Sequence, residues 1–185
     1  MLNATRLQLK HHFSYLQQFM VSPRTVGTLA PSSQWLCQAM LHQIEWTQTL
    51  TVAELGAADG VLTKRILGRM RADAQLDAYE IQTSFVHKLQ QIDDGRLRVM
   101  AYSAERLERD YDVIFSCLPL LSIPLRIRVR ILQQAQQRLR ANNGTLVLFQ
   151  YSHLSEKLLS RYFHWQRRLE VRNFPPALVY VCTPR

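Results

Sequence analysis

The fold is decided by the stretch Glu54-Leu55-Gly56-Ala57-Ala58-Asp59-Gly60. It ends a short apolar segment, Leu50–Leu55, that has the pattern of a strand, and it leads into Leu62–Arg71, which has the pattern of a helix. Small residues in such a turn let the backbone approach a ligand closely, and glycine can adopt turn conformations closed to other residues. The stretch therefore predicts a ligand-binding turn at the carboxyl end of a strand in an open α/β sheet.

Strands and helices alternate along the chain on both sides of this turn, which is typical of a doubly wound sheet. Pro175-Pro176 separates the last two strands and predicts that they close the sheet as an antiparallel pair. The predicted strands are Leu50–Leu55, Gln75–Glu80, Leu97–Tyr102, Asp112–Ser116, Gly144–Tyr151, Leu169–Phe174 and Leu178–Cys182. The predicted helices are Ala4–Met20, Ser33–Ile44, Leu62–Arg71, Thr83–Gln91, Pro124–Arg140 and Ser155–Phe163.

The chain has the size of one domain. Its 185 residues are enough for one substantial hydrophobic core and too few for two domains with a core each, and they contain no internal repeat or long linker. We therefore expect a single domain over residues 1–185. Residues 1–45 form a helical extension, in which the loop Val21–Ser32 joins the first two helices, and residues 46–185 form the Rossmann-like core.

A second acidic residue, Glu80, ends the next predicted strand about 20 residues beyond Gly60, where a carboxylate can bind the two vicinal hydroxyls of a ribose. Together with the turn it predicts a nucleoside cofactor. An ordinary strand–helix turn and a dinucleotide site are the alternatives. The G-x-G-x-x-G pattern of dinucleotide sites is absent, which favours S-adenosylmethionine over NAD.

The composition points to an anionic partner. Lys and Arg number 23 against 14 Asp and Glu, for a net charge of +9, which suits nucleic acid or acidic lipid and also occurs in merely soluble basic proteins. The longest apolar run, Val113–Leu125, is broken by prolines and is too short to span a membrane. Scattered cysteines and histidines predict no metal site, and Arg6 and Lys10 interrupt any signal peptide, so a reducing cytoplasm is expected.

Five motifs in register, from about Phe19 to Val181, resemble one family. The stretch Glu54–Gly60 resembles the E-x-G-x-G-x-G motif of class I methyltransferases, and the other four resemble motifs of bacterial phospholipid N-methyltransferases. That family is distantly similar to the rRNA adenine dimethylases. The four other segments are Arg24–Ser33, Ser116-Cys117-Leu118-Pro119-Leu120-Leu121 (S-G-L-P-L-L in the family), Phe149-Gln150-Tyr151 (the end of the Q-F-T-Y strand) and Asn173–Ala177 (N-x-P-P-A).

The resemblance implies a role for each matching position. S-adenosylmethionine is the implied cofactor, with its ribose on Glu80 and its adenine beside Ser103 and Ala104. Its methionine part is implied to lie against the turn that carries Glu54, Gly56, Ala58 and Gly60. The methyl-transfer cleft is implied to be lined by Ser116, Leu118 and Pro119.

Three residues depart from the family pattern: Ala58 and Cys117 replace glycines, and Ser103 replaces an aspartate. We expect the methyl group of Ala58 to be tolerated if the backbone there keeps a negative φ. Loss of the aspartate removes a charge-assisted acceptor for the adenine amino group, worth ~1–3 kcal/mol of binding. These departures support an alternative, a non-catalytic relative that binds the cofactor.

The acceptor is predicted to be an amine. Tyr151, at the end of the fifth strand, is the candidate for orienting it, although a tyrosine at the rim of the core would look the same; His153 is a weaker candidate for accepting its proton. The rival acceptor is an RNA adenine, which adenine dimethylases hold with the Asn and the aromatic ring of N-x-P-[YF]. Ser116 and Leu120 stand at those positions, so the base would lose its amide partner and its stacking surface.

The first predicted helix has apolar residues on one face, namely Leu2, Leu9, Phe13, Leu16 and Met20, with Arg6 and Lys10 elsewhere. Such a helix lies in a bilayer interface or packs on the domain. We therefore expect a cytoplasmic N-methyltransferase, peripheral on the inner membrane face, that acts on an amine phospholipid headgroup such as phosphatidylethanolamine at an anionic membrane surface. Nucleic acid is the less favoured partner, and no obligate protein partner is implied.

Overall fold

A seven-stranded mixed sheet forms the centre of the protein in the computed structural model, which describes residues 33–185. Its strands are β1 (Thr51–Leu55), β2 (Gln75–Tyr79), β3 (Leu97–Met100), β4 (Val113–Ser116), β5 (Thr145–Gln150), β6 (Phe163–Glu170) and β7 (Ala177–Pro184). Across the sheet they lie in the order β3-β2-β1-β4-β5-β7-β6. Strands β1 to β5 pair in parallel, and β7 is antiparallel to both neighbours. The predicted α/β doubly wound sheet with an antiparallel last strand is confirmed.

Helices cover both faces of this sheet. They are α1 (Gln34–Leu41), α2 (Val61–Leu67), α3 (Thr83–Gln90), α4 (Leu125–Arg140) and α5 (Glu156–Leu159), with a short 3-10 helix at Leu120–Ser122. Central strands bury alternate residues in opposite directions. Ala53 and Leu55 pack in one apolar cluster with the buried stripe of α4, whereas Val52 packs in the other with α1 and α2.

The carboxyl ends of the central strands are level with one another. Leu55, the last residue of β1, is in register with Tyr79 of β2 and Ser116 of β4. The chain leaves β1 toward β2 and β3 on one side and then returns to β4 on the other. The strand order therefore reverses between β1 and β4, and in open α/β sheets ligands bind at such a reversal.

One predicted strand was wrong. Strand β6 spans Phe163–Glu170 instead of Leu169–Phe174, and the helix expected over Ser155–Phe163 is limited to α5, Glu156–Leu159. The physical reason is that β6 is an edge strand whose side chains are mostly exposed and polar. A hydrophobic pattern indicates strands that are buried on at least one face, so it missed this one.

The N-terminal extension is described only from Ser33 onward. Its second helix, predicted at Ser33–Ile44, forms as α1, with the Ser33 hydroxyl accepting from Leu36 N at 3.2 Å. The predicted helix Ala4–Met20, its apolar stripe and the loop Val21–Ser32 lie outside the described residues. The division into residues 1–45 and 46–185 stays a prediction.

Candidate active site at the carboxyl edge of the sheet

The turn after β1 fits against the segment that follows β4. Gly56 has φ +76°, and a side-chain carbon there would come within 2.7 Å of Leu118 Cδ2. Gly60, with φ +83°, begins α2, and an added carbon would lie 3.1 Å from Ile92 Cδ1. Both positions thus favour glycine for their backbone conformation, and a side chain at position 56 would also force the Leu118 side chain to shift. The predicted cofactor turn and the predicted cleft segment are neighbours.

The expectation that Ala58 keeps a negative φ is wrong. Its φ is +49°, in the left-handed region, and not the negative value that would make its methyl group harmless. Left-handed backbone costs a residue with a Cβ about 1–2 kcal/mol. The turn keeps this conformation while the amide of Ala58 donates to Glu80 Oε2 at 2.9 Å. The hydrogen bond offsets part of the strain and fixes the turn to the end of β2.

Glu80 follows β2 and is nearly fully buried. Besides Ala58, its carboxylate binds the amides of Ile81 and Gln82, which both donate to Oε1 at 2.8 Å. A carboxylate has about four acceptor sites, so three backbone donors leave room for a hydroxyl on Oε2. Glu80 is therefore held rigidly, and one acceptor position on its carboxylate stays open.

Glu54, on β1, has no exposed surface. Its Oε2 accepts from the Thr63 hydroxyl at 2.6 Å, and its Oε1 has no hydrogen-bond partner among residues 33–185. Burial raises the pKa of Glu54 to about 8; the Thr63 hydroxyl opposes this rise, and the nearby Glu80 and Asp59 add to it. An unpaired buried carboxyl oxygen is costly unless a donor reaches it. The ammonium group of a methionine moiety is such a donor.

Ser103 and Ala104 follow β3. Ala104 is buried in the cluster of α4, and the Ser103 hydroxyl donates to Glu105 Oε2 and accepts from Glu105 N, both at 3.2 Å. The carboxylate that the family has at position 103 is thus present two residues later. Glu105 was not among the residues predicted from the sequence, although its position directly after the Ser-Ala pair indicates it.

Gln150, at the end of β5, holds the cleft segment. Its Oε1 accepts from Leu120 N at 3.2 Å, and its Nε2 donates to Leu118 O at 3.0 Å. Ser116 is buried at the end of β4, and its hydroxyl accepts from Leu118 N at 3.4 Å. Pro119 precedes the 3-10 helix and its carbonyl accepts from Ser122 N at 2.9 Å. Gln150 was predicted only as part of a motif, whereas its buried side chain connects the ends of β4 and β5.

Tyr151 lies beside the same segment, with its ring edge-on to Phe149 at 5.6 Å between centroids. Although 39% of the residue is exposed, burial of its hydroxyl raises its pKa, and a hydrogen bond with Asn173 opposes that rise. The phenol therefore stays protonated at neutral pH and can donate or accept a hydrogen bond. His153, the weaker candidate, is exposed.

Asn173 connects this edge to the N-terminal extension. It is buried, its Oδ1 accepts from Ser33 N at 3.2 Å, and its Nδ2 donates to Pro175 O at 2.7 Å. Next to it the Arg172 guanidinium lies 4.4 Å from the centre of the Trp35 ring. The N-x-P-P-A motif at Asn173–Ala177 thus places a buried amide between α1 and Tyr151.

The residues fit S-adenosylmethionine on three counts. The backbone of the turn can approach the cofactor closely because Gly56 and Gly60 carry no side chains. Glu54 has an oxygen without a hydrogen-bond partner among residues 33–185, and Glu80 retains an acceptor site. Within residues 33–185, no three His, Cys, Asp or Glu side chains are grouped so that they could hold a metal ion.

The chain has a full-length relative among characterised proteins and many relatives by fold. It is 26% identical to the ornithine lipid N-methyltransferase of Singulisphaera acidiphila, across 94% of this chain and 96% of that protein. The N-methyltransferase NodS of Bradyrhizobium japonicum, in complex with S-adenosylhomocysteine, superposes with a TM-score of 0.68 at 10% identity, over 91% of this chain and 98% of NodS. The magnesium protoporphyrin IX methyltransferase of Synechocystis, with bound S-adenosylmethionine, gives 0.63 at 13%, over 81% and 76%. No family model matches the chain.

These relatives agree with the motifs. The structures share the class I methyltransferase fold, and the sequence relative is a lipid N-methyltransferase. The predicted resemblance is confirmed, and the predicted enzyme class and cofactor agree with the relatives.

Proposed function

We propose that this chain is an S-adenosylmethionine-dependent N-methyltransferase that methylates an aliphatic amine in the headgroup of a membrane lipid. The observation that carries the proposal is the sequence relation to a lipid N-methyltransferase along nearly the whole of both chains. The edge where the cofactor turn meets the segment held by Gln150 supports it.

The cofactor half of the site, which consists of the turn after β1 with Glu54 and Glu80, binds and orients S-adenosylmethionine. When bound, S-adenosylmethionine supplies an electrophilic methyl group on a sulfonium. Glu80 is fixed by three backbone amides and accepts from the ribose, while Glu54 accepts from the ammonium of the methionine part. Methyl transfer needs an in-line approach of the acceptor, so rigid positioning supplies most of the catalysis.

The acceptor half receives the amine. An alkylammonium has a pKa near 10, as lysine does, so the amine must lose a proton before its lone pair can attack. Because its own pKa is raised, Tyr151 serves as a hydrogen-bond partner that orients the amine, and not as a phenolate base. Exposed His153 remains the candidate for accepting the proton.

Phosphatidylethanolamine and ornithine lipids both carry an aliphatic amine in the headgroup, and both are candidate substrates. The relative acts on an ornithine lipid, as its name states, and the phospholipid motifs match the same segments. The substrate class is therefore the chemistry that both share, an aliphatic amine in a headgroup attached to acyl chains.

RNA adenine methylation is the rival. Leu120 stands where adenine dimethylases have a stacking ring, and its aliphatic side chain is 1% exposed, so it offers no surface to a base. Ser116 stands where they have an asparagine, and its hydroxyl accepts from Leu118 N. A non-catalytic relative is the other alternative, supported by the strained Ala58 and by Ser103.

A labelling experiment tests the proposal. Purified full-length protein with S-adenosylmethionine labelled in the methyl group is given vesicles of phosphatidylethanolamine, vesicles of ornithine lipid, and rRNA. We expect label in one or both lipids and none in rRNA. Glu80→Ala should reduce incorporation about tenfold or more at a limiting cofactor concentration, whereas Asp73→Ala, at an exposed acid that precedes β2 at the opposite edge of the sheet, should leave it unchanged. Label in rRNA alone would favour the rival, and cofactor binding without transfer would favour the non-catalytic relative.

The proposal includes a place in the cell. The protein works on the cytoplasmic face of the membrane, attached peripherally through its basic surface. None of the helices in residues 33–185 has the length and hydropathy to cross a bilayer.

A further inference from the structure

Large apolar side chains are exposed at one edge of the sheet. Among the described residues, every large hydrophobic side chain that is well exposed lies at the carboxyl edge or beside it, except Leu50, which precedes β1 at the opposite edge. Six of them surround the acceptor half of the site, and we call these six the apolar rim: Leu121, Tyr151, Leu154, Leu169, Val171 and Phe174.

The register of the sheet brings the rim together. Gln150, the last residue of β5, pairs with Leu178 of β7, which in turn pairs with Leu169 of β6. The loops that follow β5 and β6 therefore leave the sheet at the same level, and they carry Leu154, at 68% exposed, and Phe174, at 72%. Gln150 also binds the segment after β4, which adds Leu121. An apolar patch of this kind marks a binding surface.

Cations border the rim. Arg126, in the first turn of α4, and Arg168, on β6, are exposed and form no ion pair with any residue in the range 33–185. The carboxylates on this side are already bound by arginines: Glu170 by Arg172 at 2.9 Å, and Glu156 by Arg167. The surface around the rim is therefore positive and suits an anionic partner.

We propose that the apolar rim, with Arg126 and Arg168, docks the protein on an anionic lipid bilayer so that the acceptor half of the site faces the headgroups. This inference rests on the proposed function for its purpose and on the rim for its location. Removing a two-chain lipid from a bilayer costs free energy for every methylene exposed to water. A cleft that opens at the bilayer surface avoids that cost.

The charge of the border selects this occupant over a second copy of the chain. A second copy would bring the same unpaired arginines and the net charge of +9, which repel one another. An anionic leaflet offers the opposite charge and takes up exposed leucine and phenylalanine side chains at its interface.

Vesicle flotation of the full-length protein tests the surface. Vesicles contain phosphatidylethanolamine and phosphatidylglycerol, at low salt. We expect Leu154→Ser with Val171→Ser to weaken binding about tenfold. Arg126→Glu with Arg168→Glu should weaken it by at least about tenfold, and this effect should shrink at high salt.

Matched controls lie at the opposite edge. Leu50→Ser removes an exposed leucine there, and Arg69→Glu with Arg161→Glu makes the same change in net charge on two exposed residues. Both should bind vesicles within about twofold of the wild type. Thermal melting checks that all variants are folded, and methylation of a short-chain amine lipid below its micelle concentration checks the site without a membrane.

Each result bears on the proposal. Loss of flotation in the rim and arginine variants alone, with short-chain methylation retained, supports the docking surface. Flotation equal to the wild type in those variants overturns it, as does a wild type that ignores anionic vesicles. If deletion of residues 1–32 abolishes binding while the rim variants retain it, that segment holds the membrane and the proposal is wrong. Rim-dependent flotation without methyl transfer to any lipid would refute the proposed function and leave the surface standing.

Discussion

Replacing Glu54 with glutamine should flatten the pH dependence of the protein's stability. Burial raises the pKa of Glu54 from 4.5 to about 8 in the folded protein. Between these values the folded state holds a proton that the unfolded state has lost. The stability from this group is thus fully present below about pH 4.5 and is lost as the pH rises through about 8.

The slope of this loss is about 1.4 kcal/mol per pH unit, so from about pH 5.5 to about pH 7.5 the wild type should lose about 2–3 kcal/mol relative to the variant. Glutamine does not titrate and can still accept from the Thr63 hydroxyl. Urea unfolding of both proteins without cofactor across this range gives the difference, in which groups common to both cancel. Parallel curves would show that Glu54 is already ionised in the folded protein and would refute the argument.

Three further substitutions test Ala58 in the turn, Gln150 beside the segment after β4, and Glu80 as the proposed ribose acceptor. Ala58→Gly should raise the free energy of unfolding by about 0.5–1 kcal/mol, because glycine adopts the left-handed φ without strain; a loss in urea unfolding would contradict this. Gln150→Leu should lower stability by about 1–3 kcal/mol by unpairing the backbone of Leu118 and Leu120, and should slow methyl transfer while calorimetry shows unchanged cofactor affinity. Weakened cofactor binding by the Gln150→Leu variant would contradict this, because it would mean that Gln150 supports the cofactor half of the site and not the acceptor half. Glu80→Ala should weaken S-adenosylmethionine binding by ~1.5–3 kcal/mol in calorimetry, and an unchanged affinity would remove the ribose role.

The sequence predicts most of this fold because its central strands are buried on both faces. Strands β1, β2, β4 and β5 consist largely of buried apolar residues, and the structure places each within one or two residues of its predicted bounds. The edge strand β6 has no such pattern, since it pairs on one side only and exposes Arg167, Arg168 and Leu169. Its pairing with β7 is a long-range property that local patterning does not contain.

The site was predictable where a backbone conformation requires a residue type. Gly56 and Gly60 indicate their own positive φ, and the spacing to Glu80 indicates the second strand end. Hydrogen bonds between distant segments were not predictable. The bonds from Gln150 to Leu118 and Leu120 depend on the order of β4 and β5 in the sheet, which the linear sequence does not reveal.

Charge is distributed unevenly along the carboxyl edge of the sheet, although the net charge of the whole chain is positive. On the β1–β2 side, the carboxylates of Glu80 and Asp59 lie near Glu54, so the ammonium and the sulfonium of the proposed cofactor would meet negative potential there. On the β5–β6 side Glu156 and Glu170 are bound by arginines, and Arg168 is exposed without an ion pair among residues 33–185. The two regions adjoin where the backbone of Gly56 lies close to the Leu118 side chain, so the proposed methyl donor and the proposed membrane surface would each meet the opposite charge at adjacent places. A uniformly basic edge would repel the cationic methyl donor, and a uniformly acidic edge would repel an anionic membrane.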